Sequence, residues 1–135
     1  MSLIRNSNRT KQGLDFTGVQ NGKIHPSDID AVLEFDNEVL ILIESKYKGS
    51  KIPTGQRILL ERICDSWHTS KSCVVKVEHD FDRDDIDVPI EKCKVTAVYF
   101  NGAWTAKNNI DFVSYLNRLG DYWNCHKCKF WYATN

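Results

Sequence analysis

The chain has 135 residues, 41% of them apolar and 27% charged, with three prolines and seven glycines. That is enough for one core, and the composition excludes a disordered or low-complexity protein. Eighteen basic and eighteen acidic residues cancel, so a nucleic-acid partner is not gathered by global charge and needs a local patch.

The opening stretch "MSLIRNSNRTKQGLDF" lacks the apolar core of a signal peptide, and no segment approaches membrane-spanning length. Five cysteines (Cys64, Cys73, Cys93, Cys125 and Cys128) are odd in number and irregularly spaced, which reads most simply as reduced thiols in a cytosol. Residues 1–12 are polar and basic (Arg5, Arg9, Lys11), suiting a short helix or an arm. Asn21-Gly22 is a tight-turn pair with room for a small strand on each side.

The two clearest strands follow, "DIDAVLEF" (28–35) and "EVLILIESK" (38–46), joined through the polar trio Asp36-Asn37-Glu38 as a hairpin. The period then changes. Leu60, Ile63 and Trp67, with Leu59 and Cys64 alongside, predict an amphipathic helix over 55–68, entered just after Pro53. Strands are predicted at 72–79 and 92–100, the latter closed by a turn at Asn101-Gly102. A second helix is predicted to be capped by Asn108 or Asn109, to carry Ile110, Val113, Leu116 and Leu119, and to stop at Gly120. Together these elements predict one domain, residues 1–135, of α/β class: a central mixed β-sheet flanked by helices.

The hairpin raises a chemical question, because its second strand is apolar until it ends Glu44-Ser45-Lys46. Side chains alternate along a strand, so Glu44 and Lys46 share a face. If Phe35 and Val39 flank a three-residue turn, paired residues sum to 74, and Asp30 falls opposite Glu44 and Asp28 opposite Lys46. A two-residue turn would separate Asp30 and Glu44 onto opposite faces. Two opposed carboxylates repel and are costly to bury unpaired. A divalent cation relieves both problems, and paired hard oxygens suit Mg²⁺, with Mn²⁺ as a substitute. Lys46 then stands where it can orient or deprotonate a water or steady a phosphorane-like transition state. The plainer alternative is a salt bridge of Glu44 or Asp28 with Lys46. Gln56 falls in register with Leu60, Ile63 and Trp67, which sets it on the sheet-facing side of the first helical turn, where it needs hydrogen-bond partners.

Asp30, a short hairpin, Ile43-Glu44-Ser45-Lys46 and a helix opening Gly55-Gln56-Arg57 resemble the PD-(D/E)XK nuclease superfamily, small stand-alone phage or prophage members above all. The resemblance covers roughly residues 26–68. It implies a restriction-endonuclease-like core and a metal-dependent deoxyribonuclease acting on DNA. Asp30 and Glu44 would be the Mg²⁺ ligands, with the Ser45 backbone carbonyl as an additional one, Lys46 would serve the attacking water, and Gln56 would join the catalytic group. "PSDID" offers Asp28 as a competitor of Asp30. Many members add a glutamate from an N-terminal helix; here no Glu precedes Glu34, so Asp15 substitutes or that ligand is missing. The resemblance further implies the cytoplasm of a bacterial or phage-infected cell and a possible homodimer. The alternative is a catalytically weak or inactive nuclease-fold protein that binds nucleic acid or a protein partner.

Three weaker signals complete the reading. Lys48, Lys51 and Arg57 are candidate phosphate contacts. The stretch "EHDFDRDDIDVP" carries Glu78, Asp80, Asp82, Asp84, Asp85 and Asp87. It lacks the glycine of a calcium loop and reads as a solvated loop. Cys125-His126-Lys127-Cys128 has the spacing of half a zinc site, with His68 or Cys93 as distant completing ligands. The neighbouring Tyr122, Trp123, Phe130, Trp131 and Tyr132 read as core and edge aromatics.

Overall fold

The structure is a computed structural model that describes residues 14–83 and 85–130. The basic arm at Arg5, Arg9 and Lys11, together with Asp84, Trp131 and Tyr132, lies outside the described residues. Five strands form one sheet in the order β1 (Ala31–Phe35), β2 (Val39–Tyr47), β3 (Ser72–His79), β4 (Lys94–Phe100) and β5 (Ala103–Asp111). Helix α1 (Thr54–Ser66) crosses between β2 and β3, the one parallel pair among the described residues, and α2 (Phe112–Tyr122) follows β5. The chain is thus an α/β protein built on a mixed sheet.

The turn between β1 and β2 is left-handed at Asp36 (φ 55°) and Asn37 (φ 59°), a conformation that Asn and Asp tolerate best after glycine. The Glu38 N–H closes it onto the Phe35 carbonyl at 2.9 Å. Phe35 therefore pairs with Val39 and Ala31 with Ile43, which is the register summing to 74.

Alternation along β2 splits the core. Leu40 and Leu42 join Val74 and Tyr99 beneath Leu60 and Cys64 of α1. Val39, Ile41 and Ile43 join Val75 and Val77 beneath Phe112, Leu116 and Leu119 of α2. With both faces covered, the strand reads as an unbroken apolar run instead of an alternating one.

Two expectations are corrected near the C-terminal end. Residues 103–111 form an edge strand, so Ile110 pairs with Val95 in the sheet and the helix begins at Phe112 behind Asp111, not at Asn108 or Asn109. Asn109 is instead a left-handed residue (φ 50°) within β5, close to the point where its pairing with β4 shifts register. Gly120 does not stop α2, which runs on to Tyr122. A Cβ at Gly120 would lie 2.6 Å from the Cys128 carbonyl oxygen, so the glycine permits the returning chain to press against the helix. At the other end, Gly22-Lys23 forms the centre of a two-residue turn in which Asn21 and Ile24 exchange both backbone bonds at 2.9 Å. This is a single bridge, without strands on either side.

Candidate metal centre at the end of the central strands

Beyond Leu42 and Val74, the α1-facing side of the sheet turns from apolar to charged. The parallel register sets Glu44 beside Lys76 and Lys46 beside Glu78, so opposite charges neighbour each other along and across the strands. Lys46 Nζ lies 3.1 Å from Glu44 Oε2, and Lys76 Nζ lies 2.9 Å from Glu78 Oε2. The sequence places Glu78 both in the predicted strand 72–79 and at the start of the acidic stretch, and the structure keeps it in β3. It is half-buried there, held also by the Gly49 N–H and the Thr96 hydroxyl, each at 3.0 Å. The rest of that stretch is more open, with Arg83 paired to Asp85.

Asp30 reaches this edge because β1 stops one residue short of it. The Ser45 N–H, which faces the β1 side of β2, loses its strand partner there and donates to Asp30 Oδ2 at 2.8 Å. Continuing the hairpin register puts Asp30 across from Glu44. Asp30 and Asp28 are the carboxylates whose charges act on Glu44.

Glu44 is 1% exposed. Its Oε1 has no hydrogen-bond partner among the described residues. Burial pushes its carboxyl above the ordinary glutamate range. Lys46 opposes that shift, while Asp30 and then Asp28 add to it. A buried acceptor of this kind is costly unless something supplies positive charge or a proton. The plain salt bridge with Lys46 is present, and it leaves Oε1 unused.

The residues therefore fit a divalent cation. Glu44 Oε1 has spare capacity, and Asp30 adds a second hard oxygen donor from across the hairpin. Among the described residues no cluster of three or more His, Cys, Asp or Glu side chains is placed to hold an ion. A pair of carboxylates would suit an ion that retains much of its water, as Mg²⁺ does.

Gln56 lies in the first turn of α1, half-buried, and its Nε2 makes a long 3.4 Å contact to the Asp28 carbonyl. It stands beside the aspartate pair and ties α1 to the segment entering β1. Asp15 is exposed and accepts the Thr17 N–H at 2.9 Å. It is not among the charges acting on Glu44. Lys48 and Lys51 are exposed and form no ion pair among the described residues. Arg57 is committed elsewhere: it pairs at 2.6 Å with Glu61, which also takes the Trp104 indole N–H.

All five cysteines are free. Cys128 is fully buried and donates to the Leu116 carbonyl at 3.3 Å, its thiol pushed up to about 11 by burial. This makes it a packed thiol under α2. Trp123 is core, Phe130 packs on Phe35 with ring centroids 6.3 Å apart, and Tyr122 is exposed.

Fold and site together define an α/β protein with two carboxylates and a lysine gathered at the end of its central strands. Comparison with protein-family models, curated proteins and solved structures gives no match. Among the described residues, no helix is long and apolar enough to cross a membrane.

Proposed function

We propose that the chain is a PD-(D/E)XK-type nuclease with a restriction-endonuclease-like core, hydrolysing phosphodiester bonds of DNA with Mg²⁺ or Mn²⁺. The observation that carries this reading is the unpartnered Glu44 Oε1, buried in the field of Asp30 with Lys46 fixed 3.1 Å from the other oxygen of the same carboxylate. A purely structural ion pair has no use for a spare buried acceptor beside further acids. The hairpin, the helical crossover and the parallel third strand support the fold assignment.

Asp30 and Glu44 would hold the ion, with the Ser45 carbonyl beside them. The ion would supply Lewis-acid polarisation of a phosphoryl oxygen and lower the pKa of a bound water. Lys46 orients the attacking water or donates to charge developing on the phosphate, and it is held over that edge by Glu44. Gln56 positions the Asp28–Asp30 segment. Lys48 and Lys51, exposed after β2, take neighbouring phosphates. Both carboxylates and the lysine come from one chain, so a second copy is not needed to assemble the site.

The test is cleavage of plasmid and of single-stranded DNA with Mg²⁺ or Mn²⁺. The parent is expected to cut, and Lys46→Ala to cut at least about 100-fold more slowly, the scale of a positioned proton-transfer group. Equal cutting by Lys46→Ala would overturn the mechanism. One observation favours a second reading, a nuclease fold that binds nucleic acid without turnover: Asp15 is engaged with its own turn, so the donor set stays at two. That reading predicts salt-dependent DNA binding with no cleavage by any variant.

A further inference from the structure

A cavity of about 340 Å³ opens between α2 and the last two strands, with Cys73 and Val98 at its floor. Val98 and Cys73 belong to the α2-facing core, so the cavity lies on the face of the sheet opposite Glu44. Thr105 and Lys107 of the edge strand β5 line it on one side, and Tyr115, Arg118 and Leu119 of α2 on the other.

The walls are aromatic. Phe100 meets Tyr122 edge-on with ring centroids 6.1 Å apart and is equally close to Trp123. Trp123 is buried, yet Tyr122 at the mouth is 71% exposed. A ring presented edge-on to a second ring and open to water on its other side is half of a stacking site. Two cations complete the lining, Lys107 from β5 and Arg118 from α2, and among the described residues no Asp or Glu lines the cavity. Neither cation forms an ion pair among the described residues. Lys107 Nζ instead sits 5.8 Å from the centre of the Tyr115 ring. At this apolar wall no acid of the described residues neutralises them.

We propose that this cavity binds a small planar aromatic anion, its ring against Phe100 and Tyr122 and its negative group on Lys107 and Arg118. The volume lies at the small end of ligand pockets, roughly 300–1,000 Å³, which suits one or two fused rings. A pyrimidine mononucleotide and an aromatic carboxylic acid share this chemistry. The Tyr115 phenol, pushed up to about 12 by burial, remains a neutral hydroxyl at physiological pH.

Calorimetric titration of the intact chain separates the two sources. One arm compares thymidine monophosphate with thymidine, and the other compares naphthoate with naphthylmethanol. In at least one arm the anion is expected to bind ten-fold or more tightly than its neutral partner. Lys107→Ala combined with Arg118→Ala should abolish that advantage, and the fold should survive their truncation because Arg118 is exposed and Lys107 only half-buried, neither belonging to the core. Thr105→Trp, placed from β5 into the cavity, should block binding. Asp30→Asn, on the other face, should leave binding unchanged whether or not the chain is a nuclease. A response in the first arm alone assigns a nucleotide, and in the second alone an aromatic acid. Equal affinity for neutral and anionic probes, or binding that survives the double variant, overturns the proposal. So does a dimer abolished by Thr105→Trp with no anion bound, which would give the surface to a second copy of the chain.

Discussion

Glu44 and Glu78 lie one strand apart on the same face of the sheet, each with a lysine two residues away on its own strand. Their situations differ in what remains after the lysine is counted. For Glu78, burial works against the charge and is outweighed by the Gly49 amide, Lys76 and Thr96, so its carboxyl sits below the ordinary range. For Glu44, burial wins. Among the described residues Lys46 is its sole opposing partner, and one oxygen is left over. Two acid–base pairs of the same spacing thus differ in spare acceptor capacity, and only that of Glu44 leaves room for a further partner.

The strongest way to break that contrast is to truncate each lysine. If Glu44 is the reacting centre and Glu78 the scaffold, Lys46→Ala loses about 100-fold or more of DNA cleavage. Lys76→Ala should lose less than about ten-fold once protein still folded is counted, since Lys76 is bound to the acid that has no vacancy. Equal losses would erase the distinction.

The next effect is on stability. Removing the Glu78 carboxylate leaves Lys76 (15% exposed), the Gly49 amide and the Thr96 hydroxyl without their acceptor. Glu78→Ala is therefore expected to cost about 3 kcal/mol, readable as a drop in Tm or in denaturant midpoint. A cost no larger than that of a surface substitution would mean Glu78 is not the anchor described.

How much of this contrast was legible in the sequence depends on the range of each interaction. Asp30 opposite Glu44 was readable because Asp36-Asn37-Glu38 is a local turn whose length sets parity. α1 announces itself through its helical period and β3 as a short apolar run. The partnership of Glu44 with Lys76 depends on the register of a parallel pair joined across a helix, which no local pattern encodes. Glu78 falls at the end of the predicted strand 72–79 and at the start of a run of aspartates, so its strand is legible but its anchoring by Gly49 and Thr96 is not. The strand β5 was missed for another reason. It lies at the edge with most residues exposed, so its alternation is faint, and its left-handed Asn109 imitates a helix cap.

A smaller effect comes from the ion itself. If Glu44 and Asp30 hold a divalent cation, Mn²⁺ at ten times its dissociation constant stabilises the fold by about 1.4 kcal/mol, a rise in Tm of several degrees. Asp30→Asn and Glu44→Gln should each abolish the rise, whereas Glu78→Gln should leave it intact. An unchanged response in Glu44→Gln would remove the ion from this place.

The smallest effect separates the two acids by sign. The Glu44 carboxyl is raised in the folded chain, so below the unfolded glutamate value both states are protonated and nothing is lost. As pH rises above that value the unfolded chain ionises first, and stability falls until the folded carboxyl has ionised too. Glu44→Gln deletes this cost. In metal-free buffer it should match the parent in acid, below the unfolded glutamate range, and exceed it at neutral pH; Lys46, 23% exposed, keeps contact with water when its partner goes. Glu78 is lowered, so its contribution is present above the unfolded value and is lost as pH falls through the folded one. The penalty of Glu78→Ala should accordingly shrink in acid while the gain of Glu44→Gln grows toward neutrality. Parallel pH profiles for the two variants would show that the orphan oxygen of Glu44 is satisfied in solution without a metal, and that the two glutamates are equivalent halves of one ion-pair network.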